Sequence, residues 1–129
     1  MSTRISVGIA VLAASSLLAA WSASTVPAGS PSATIASKRC DISGDERKLG
    51  PTYVTSLSVK GVSCRTGRRV VRGYYRCRIR SGGRRGRCHS RVLRFRCTEH
   101  RESISTQFDA RVRCVRGRSR VWHTYTQNT

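Results

Sequence analysis

The side chains of this chain best suited to proton transfer near neutral pH are its three histidines, His89, His100 and His123. His100 has carboxylates close by in the sequence, at Glu99 and Glu102. A carboxylate and an imidazole can act as base and acid while an arginine holds a phosphate, which is the chemistry of a ribonuclease. His123, His100 and Glu99 are therefore the candidate catalytic residues.

The sequence around these residues carries no motif of a known enzyme class. It has no Gly-x-Ser-x-Gly elbow, no phosphate-binding Gly-Lys-Ser/Thr loop and no secreted-nuclease motif. Histidines at strand edges are commonly solvated or packed rather than catalytic. The sequence thus leans away from an enzyme without deciding the question, and it predicts no cofactor.

Positive charge dominates the composition, with 25 Lys and Arg against 6 Asp and Glu and a formal net charge of +19. Residues 65–96 hold thirteen arginines and no acidic residue. Such a charge attracts nucleic acid, acidic polysaccharide and anionic surfaces alike, because long-range attraction does not distinguish them. GC-rich coding also produces an arginine excess without selection for binding, and this alternative stays open.

An even number of cysteines predicts a disulfide framework in an exported domain whose core is too small to hold it alone. The six are Cys40, Cys64, Cys77, Cys88, Cys97 and Cys114. Cys77 and Cys88 enclose a short glycine-rich segment, so we expect them to pair. Pairing of Cys97 with Cys114 is slightly preferred, which leaves Cys40 with Cys64, and a helix-to-sheet bond from Cys64 is the open alternative. Because no two cysteines are closely spaced, the sequence predicts no metal site.

The N-terminal residues are typical of an export signal. Arg4 precedes an uncharged, mostly apolar run at residues 5–20, which is shorter than the roughly 20 apolar residues of a membrane-spanning helix. We expect a signal peptide at residues 1–28, cleaved after about residue 22 to 28, and a flexible Ser/Ala/Thr/Pro-rich spacer at 29–39. Residues 40–127 are then a single basic domain, secreted and without a transmembrane segment.

The elements that must position the candidate residues follow from hydrophobic periodicity. Alternation of apolar and polar residues predicts four strands, at residues 53–60, 92–99, 107–115 and 121–127. Apolar residues at three- and four-residue steps predict an amphipathic helix from an N-cap at Ser63 to about Arg78, followed by a basic glycine-rich loop at 81–87. The order of elements predicts an α+β domain, with one helix packed on a small, mostly antiparallel four-stranded sheet and stapled by disulfides.

Strand parity places a set of basic residues on the sheet face that the helix leaves open. The predicted anion-binding residues of this face are Lys60, Arg94, Arg96, Arg111, Arg113, Arg120 and Trp122. The glycine-rich loop adds Arg84, Arg85 and Arg87. The predicted partner is an anionic polymer or surface, bound nonspecifically by a monomer with Trp122 available for stacking.

Three short motifs lie in the folded part of the chain: Val62-Ser63-Cys64, Phe95-Arg96-Cys97 and Cys114-Val115-Arg116-Gly117. They resemble motifs of small secreted disulfide-containing proteins common in actinobacteria. They correspond to a helix start, an aromatic-x-Cys strand and a Cys-x-x-Gly hairpin. The resemblance implies this architecture and no activity. The chain departs from the pattern at Gly67, where alanine is common, and by the two cysteines around the basic loop.

Two alternatives compete with nonspecific polyanion binding. One is the ribonuclease-like enzyme that the histidines suggest. The other is a secreted inhibitor or toxin-like module, in which the disulfide-closed loop enters a site of another protein. Arginines in that loop suit a trypsin-like protease, whereas its glycines argue against a rigid reactive loop.

Overall fold

The computed structural model describes residues 35–129. The signal peptide expected at residues 1–28, and the spacer up to residue 34, lie outside the described residues. The elements in chain order are β1 Lys38–Arg39, β2 Tyr53–Lys60, α1 Cys64–Gly82, a 3₁₀ turn at Gly83–Arg85, β3 Arg96–Ser103, β4 Gln107–Arg116 and β5 Ser119–Asn128.

The five strands form one antiparallel sheet in the order β1-β2-β5-β4-β3, and α1 packs on one of its faces. The prediction of an α+β domain with a helix on an antiparallel sheet is confirmed. The predicted count of four strands is wrong, because Lys38 and Arg39 pair with Val59 and Ser58 at the edge of β2. Two residues are too few to show an alternation, so this strand arises from pairing with β2 and not from its own pattern.

The strand predicted at residues 92–99 begins only at Arg96, four residues later than the alternation of apolar and polar residues predicted. Val92 and Phe95 exchange backbone hydrogen bonds of 2.9 and 2.8 Å, and the two residues between them, Leu93 and Arg94, have φ values of 48° and 67°. Two successive positive φ angles are those of a type I′ turn, which reverses the chain. Arg94 therefore lies in a turn, not on a strand, and β3 starts at Arg96.

The helix begins where the sequence indicated and ends later. The Ser63 hydroxyl accepts a hydrogen bond from the Thr66 amide at 3.2 Å, as an N-cap does. The predicted end near Arg78 is wrong, since α1 continues through Gly82. It presses on β2 at Gly67, where an added Cβ would lie only 2.7 Å from Val59 Cγ1. The helix thus sits closely on the sheet because this position has no side chain.

The core lies between α1 and the inner face of the sheet. The inward parities of β4 and β5 are confirmed, since Phe108, Val112, Val121, His123 and Tyr125 are all buried. The expected pairing of Cys77 with Cys88 is confirmed, as are the preferred bonds Cys97–Cys114 and Cys40–Cys64. The described residues contain no free cysteine. The three bonds tie the N-terminal segment, the loop after the helix and the edge hairpin to this core.

Candidate polyanion-binding face

The sheet face opposite α1 carries the predicted basic residues in neighbouring rows. Strand register places Lys60 opposite Arg120 across β2 and β5, and Trp122 opposite Arg113 across β5 and β4. Arg96 begins β3 and pairs with Val115. We call Lys60, Arg96, Arg113, Arg120 and Trp122 the basic face. Its residues come from four strands, so it exists only when the sheet is assembled.

No carboxylate neutralises the basic face. Of the six acidic residues, three lie in the loop between β1 and β2, and Glu99 is buried on the helix side of the sheet. The remaining two, Glu102 and Asp109, lie at the other end of the open side, where Arg111 pairs with Glu102 at 2.8 Å. Within residues 35–129, none of the four cations of the basic face forms an ion pair. A bound anion would therefore reduce the repulsion among these four cations.

A surface concavity of about 480 Å³ continues the basic face around the start of β3. Its lining includes five arginines and no acidic residue: Arg91, Arg94, Arg96, Arg113 and Arg116. The Arg116 guanidinium is held 4.4 Å above the ring of Phe95 and donates a hydrogen bond to the carbonyl oxygen of Leu93. Arg94 was predicted on a strand of the open face and reaches this concavity from the Leu93-Arg94 turn instead. Arg91 and Arg116 were not among the predicted anion-binding residues.

The loop arginines lie away from the basic face. Arg85 and Arg87 line a small concavity with Arg101 and Ser103, at the end of β3 opposite to Arg96, and Arg84 is exposed beside them. The structure therefore does not gather the loop arginines with the cations of the basic face.

The loop is also more strongly held than its glycines suggested. The guanidiniums of Arg78 and Arg101 donate hydrogen bonds to the backbone carbonyl oxygens of Arg84, Arg85 and Gly86. Its backbone is thereby fixed to the helix and to β3.

Glu99, a sequence candidate for catalysis, lies on the inner side of the sheet. Its carboxylate is 4% exposed, pairs with Arg101 at 2.9 Å and lies 3.9 Å from Arg78. The Tyr125 hydroxyl donates a hydrogen bond to the same carboxylate. Burial first, and then this hydrogen bond, raise the pKa of Tyr125 well above its usual range. The sequence signal for this buried network was the inward position of Arg78 on the helix.

His123 is also inside the molecule. It is 1% exposed, and its ring packs edge-on to Tyr74 and parallel to Tyr125. Neither ring nitrogen has a hydrogen-bond partner among the described residues. Burial, and secondarily the charge of Arg78, lower the pKa of His123 to about 3, so the ring is neutral at pH 7.

His89 and His100 remain on the surface. His100 lies on the open side of the sheet in a second concavity, together with Glu102, Asp109 and Arg111. The structure thus brings His100 together with Glu102 and separates it from Glu99, which points to the opposite side of β3.

Comparison with known proteins adds no relative. No protein family, curated protein or solved structure matches the chain. Among residues 35–129 there is no helix with both the length and the apolar character to cross a membrane. In the same part of the chain, no group of three or more His, Cys, Asp or Glu side chains is arranged to hold a metal ion.

Proposed function

We propose that the protein is a secreted monomer that binds anionic polymers, nucleic acid or acidic polysaccharide, without sequence specificity and through the basic face. The observation that carries this proposal is the set of four cations, Lys60, Arg96, Arg113 and Arg120, on one side of one sheet and without an ion pair in the described chain. Unpaired cations of this kind are stabilised when an anionic partner releases its counterions.

The chemistry of the face favours a polymer over a small anion. The cations extend over four strands and continue into the arginine concavity, so that a chain of charges can meet several of them at once. Guanidinium groups bind phosphate and carboxylate oxygens in pairs. Trp122 is partly exposed between Ser58 and Arg113, where a base or a sugar ring can stack on it.

The secreted location is supported by the disulfides. Three bonds in a domain of this size are typical of oxidising compartments, and they are compatible with an extracellular protein. The signal peptide expected at residues 1–28 belongs to the same proposal.

The test is a salt series with a single-stranded DNA oligonucleotide and with heparin as probes. If six cations contact a single strand, the logarithm of the affinity should fall with the logarithm of salt concentration at a slope of roughly −4. The double variant R113Q/R120Q should reduce the magnitude of this slope by about 1.4 and weaken binding to both probes.

The matched control is R47Q/K48Q, which removes two positive charges from the loop between β1 and β2. It should leave the slope nearly unchanged. Equal loss in both double variants would mean that only total charge matters, as the codon-usage alternative requires. Binding that resists salt would instead point to a protein partner, as the inhibitor alternative requires.

A further inference from the structure

A polar concavity of about 360 Å³ adjoins the basic face on the open side of the sheet. Its titratable and charged residues are His100, Glu102, Asp109 and Arg111. Three threonines also line it, including Thr124 and Thr126 of β5. It is thus a second site on the same surface, with a different chemistry from the arginine concavity.

Strand register sets the geometry of this concavity. His100 and Glu102 are two residues apart on β3, which places them on the same side at about 6.6 Å along the strand. Arg111 lies directly opposite His100 on β4, and Asp109 lies opposite Glu102. An imidazole, a carboxylate and a guanidinium therefore line one concavity, and the guanidinium is paired to Glu102 at 2.8 Å.

We propose that this polar concavity cleaves the phosphodiester bonds of single-stranded RNA. The inference rests on the proposed function, because the basic face must first hold the strand. RNA carries its own nucleophile, the 2′-hydroxyl, so that a base, an acid and a cation at the phosphate are sufficient for the reaction.

The step is a transesterification. Glu102 accepts the proton of the 2′-hydroxyl while the 2′-oxygen forms a bond to the neighbouring phosphorus. The bond from phosphorus to the 5′-oxygen of the next nucleotide breaks, and the His100 imidazolium gives that oxygen a proton. Arg111 binds the non-bridging phosphate oxygens, on which negative charge increases in the transition state. The products are a 2′,3′-cyclic phosphate and a 5′-hydroxyl, and no atom changes its oxidation state.

The position of Arg111 connects binding to cleavage. It is two residues before Arg113 on β4, so both side chains lie on the open side of the sheet. An RNA strand that contacts Trp122 and Arg113 and continues along β4 therefore passes over Arg111. The free protein holds Arg111 against Glu102, and an incoming phosphate exchanges this ion pair for a contact of its own.

The experiment compares a single-stranded RNA oligonucleotide with the all-deoxy strand of the same sequence, using the disulfide-bonded protein. We expect the RNA to be cut to fragments ending in 2′,3′-cyclic phosphate, identified by mass spectrometry, and the DNA to be bound but left intact. H100A and E102Q should each lower the cleavage rate by about 100-fold or more. Both positions are exposed, so melting temperatures should stay within several degrees of that of the unchanged protein.

The matched control is H89A, which removes the other exposed histidine and should leave cleavage unchanged. RNA that is bound but remains intact would overturn this inference and leave the proposed function standing. Cleavage that persists in H100A would overturn it as well, because the activity would then lie elsewhere or in a contaminant. Failure to bind either strand would overturn this inference, and failure to bind heparin as well would overturn the proposed function itself.

Discussion

The guanidinium of Arg101 and the carboxylate of Glu99 form an ion pair at 2.9 Å in which both side chains are more than nine-tenths buried. The same carboxylate lies 3.9 Å from a second buried guanidinium, that of Arg78. Arg101 also stacks 4.1 Å over the ring of Phe108. One carboxylate therefore faces two buried guanidiniums, and the half-exposed Arg87 lies 3.8 Å away as a third partner.

Replacement of Glu99 by Gln should be strongly destabilising. It keeps the size of the side chain but leaves the guanidiniums of Arg78 and Arg101 buried without a counter-charge, which costs about 3–5 kcal/mol. Urea unfolding with the disulfides intact measures this loss. E102Q is the matched control, because its ion pair with Arg111 is exposed and contributes about 1 kcal/mol or less. A loss in E99Q no larger than in E102Q would contradict the prediction.

The buried His123 should make the protein less stable in acid. Its pKa of about 3 in the folded state lies below the unfolded value near 6.5, so the unfolded chain takes up the proton first as the pH falls. The stability that depends on a neutral His123 is fully present above pH 6.5 and is lost as the pH falls toward 3. At pH 5 the free energy of unfolding should already be about 2 kcal/mol lower than at pH 7.

His123→Leu separates this effect from the titration of the carboxylates. The variant should be at least as stable as the unchanged protein at pH 7, because the ring nitrogens have no hydrogen-bond partner in the described chain. Its advantage should grow as the pH falls from 7 to 5. Parallel pH profiles of unfolding free energy for the two proteins would contradict the assignment.

Gly67→Ala should destabilise the domain although alanine favours helices. The new Cβ would lie 2.7 Å from Val59 Cγ1 and 3.4 Å from Leu57 Cδ1, so either the Val59 side chain or the helix must shift. Overpacking of this kind costs about 1–3 kcal/mol, against a helix propensity gain of about 1 kcal/mol. In a double-mutant cycle, Val59→Ala should recover part of the loss, whereas additive losses would show that the two positions do not meet.

Leu93→Asn should stabilise the turn before β3. Leu93 has φ 48° and a side chain 43% exposed, so the replacement removes little buried surface and introduces a residue that tolerates the left-handed region. We expect a gain of up to about 1 kcal/mol in unfolding free energy, because a left-handed residue with a Cβ costs about 1–2 kcal/mol and asparagine relieves part of that cost. Leu93→Ala is the control, since alanine lacks this tolerance, and an equal gain in both would locate the effect outside the turn.

The alternation of β4 and β5, the N-cap of α1 and the pairing of Cys77 with Cys88 were accessible from sequence, because each depends on neighbours along the chain. The short strand β1 and the turn at Leu93 and Arg94 were not, since they depend on pairing and on φ angles that no composition rule specifies. The same holds for the candidate sites. Both Glu99 and Glu102 are close to His100 in the sequence, and Glu99 was the predicted catalytic partner. Because side chains alternate along β3, Glu99 lies on the opposite side of the sheet, and Glu102 lies on the same side as His100.

The anchored loop also bears on where a protease could cut so arginine-rich a chain. Proteases of the trypsin type cut after arginine, and they must draw the carbonyl oxygen of that residue into an oxyanion hole. In the loop, the carbonyl oxygen of Arg84 already accepts a hydrogen bond from Arg78 at 2.6 Å, and that of Arg85 accepts one from Arg101 at 2.8 Å. These hydrogen bonds keep both carbonyl oxygens out of an oxyanion hole, for as long as Glu99 holds the guanidiniums of Arg78 and Arg101 in place.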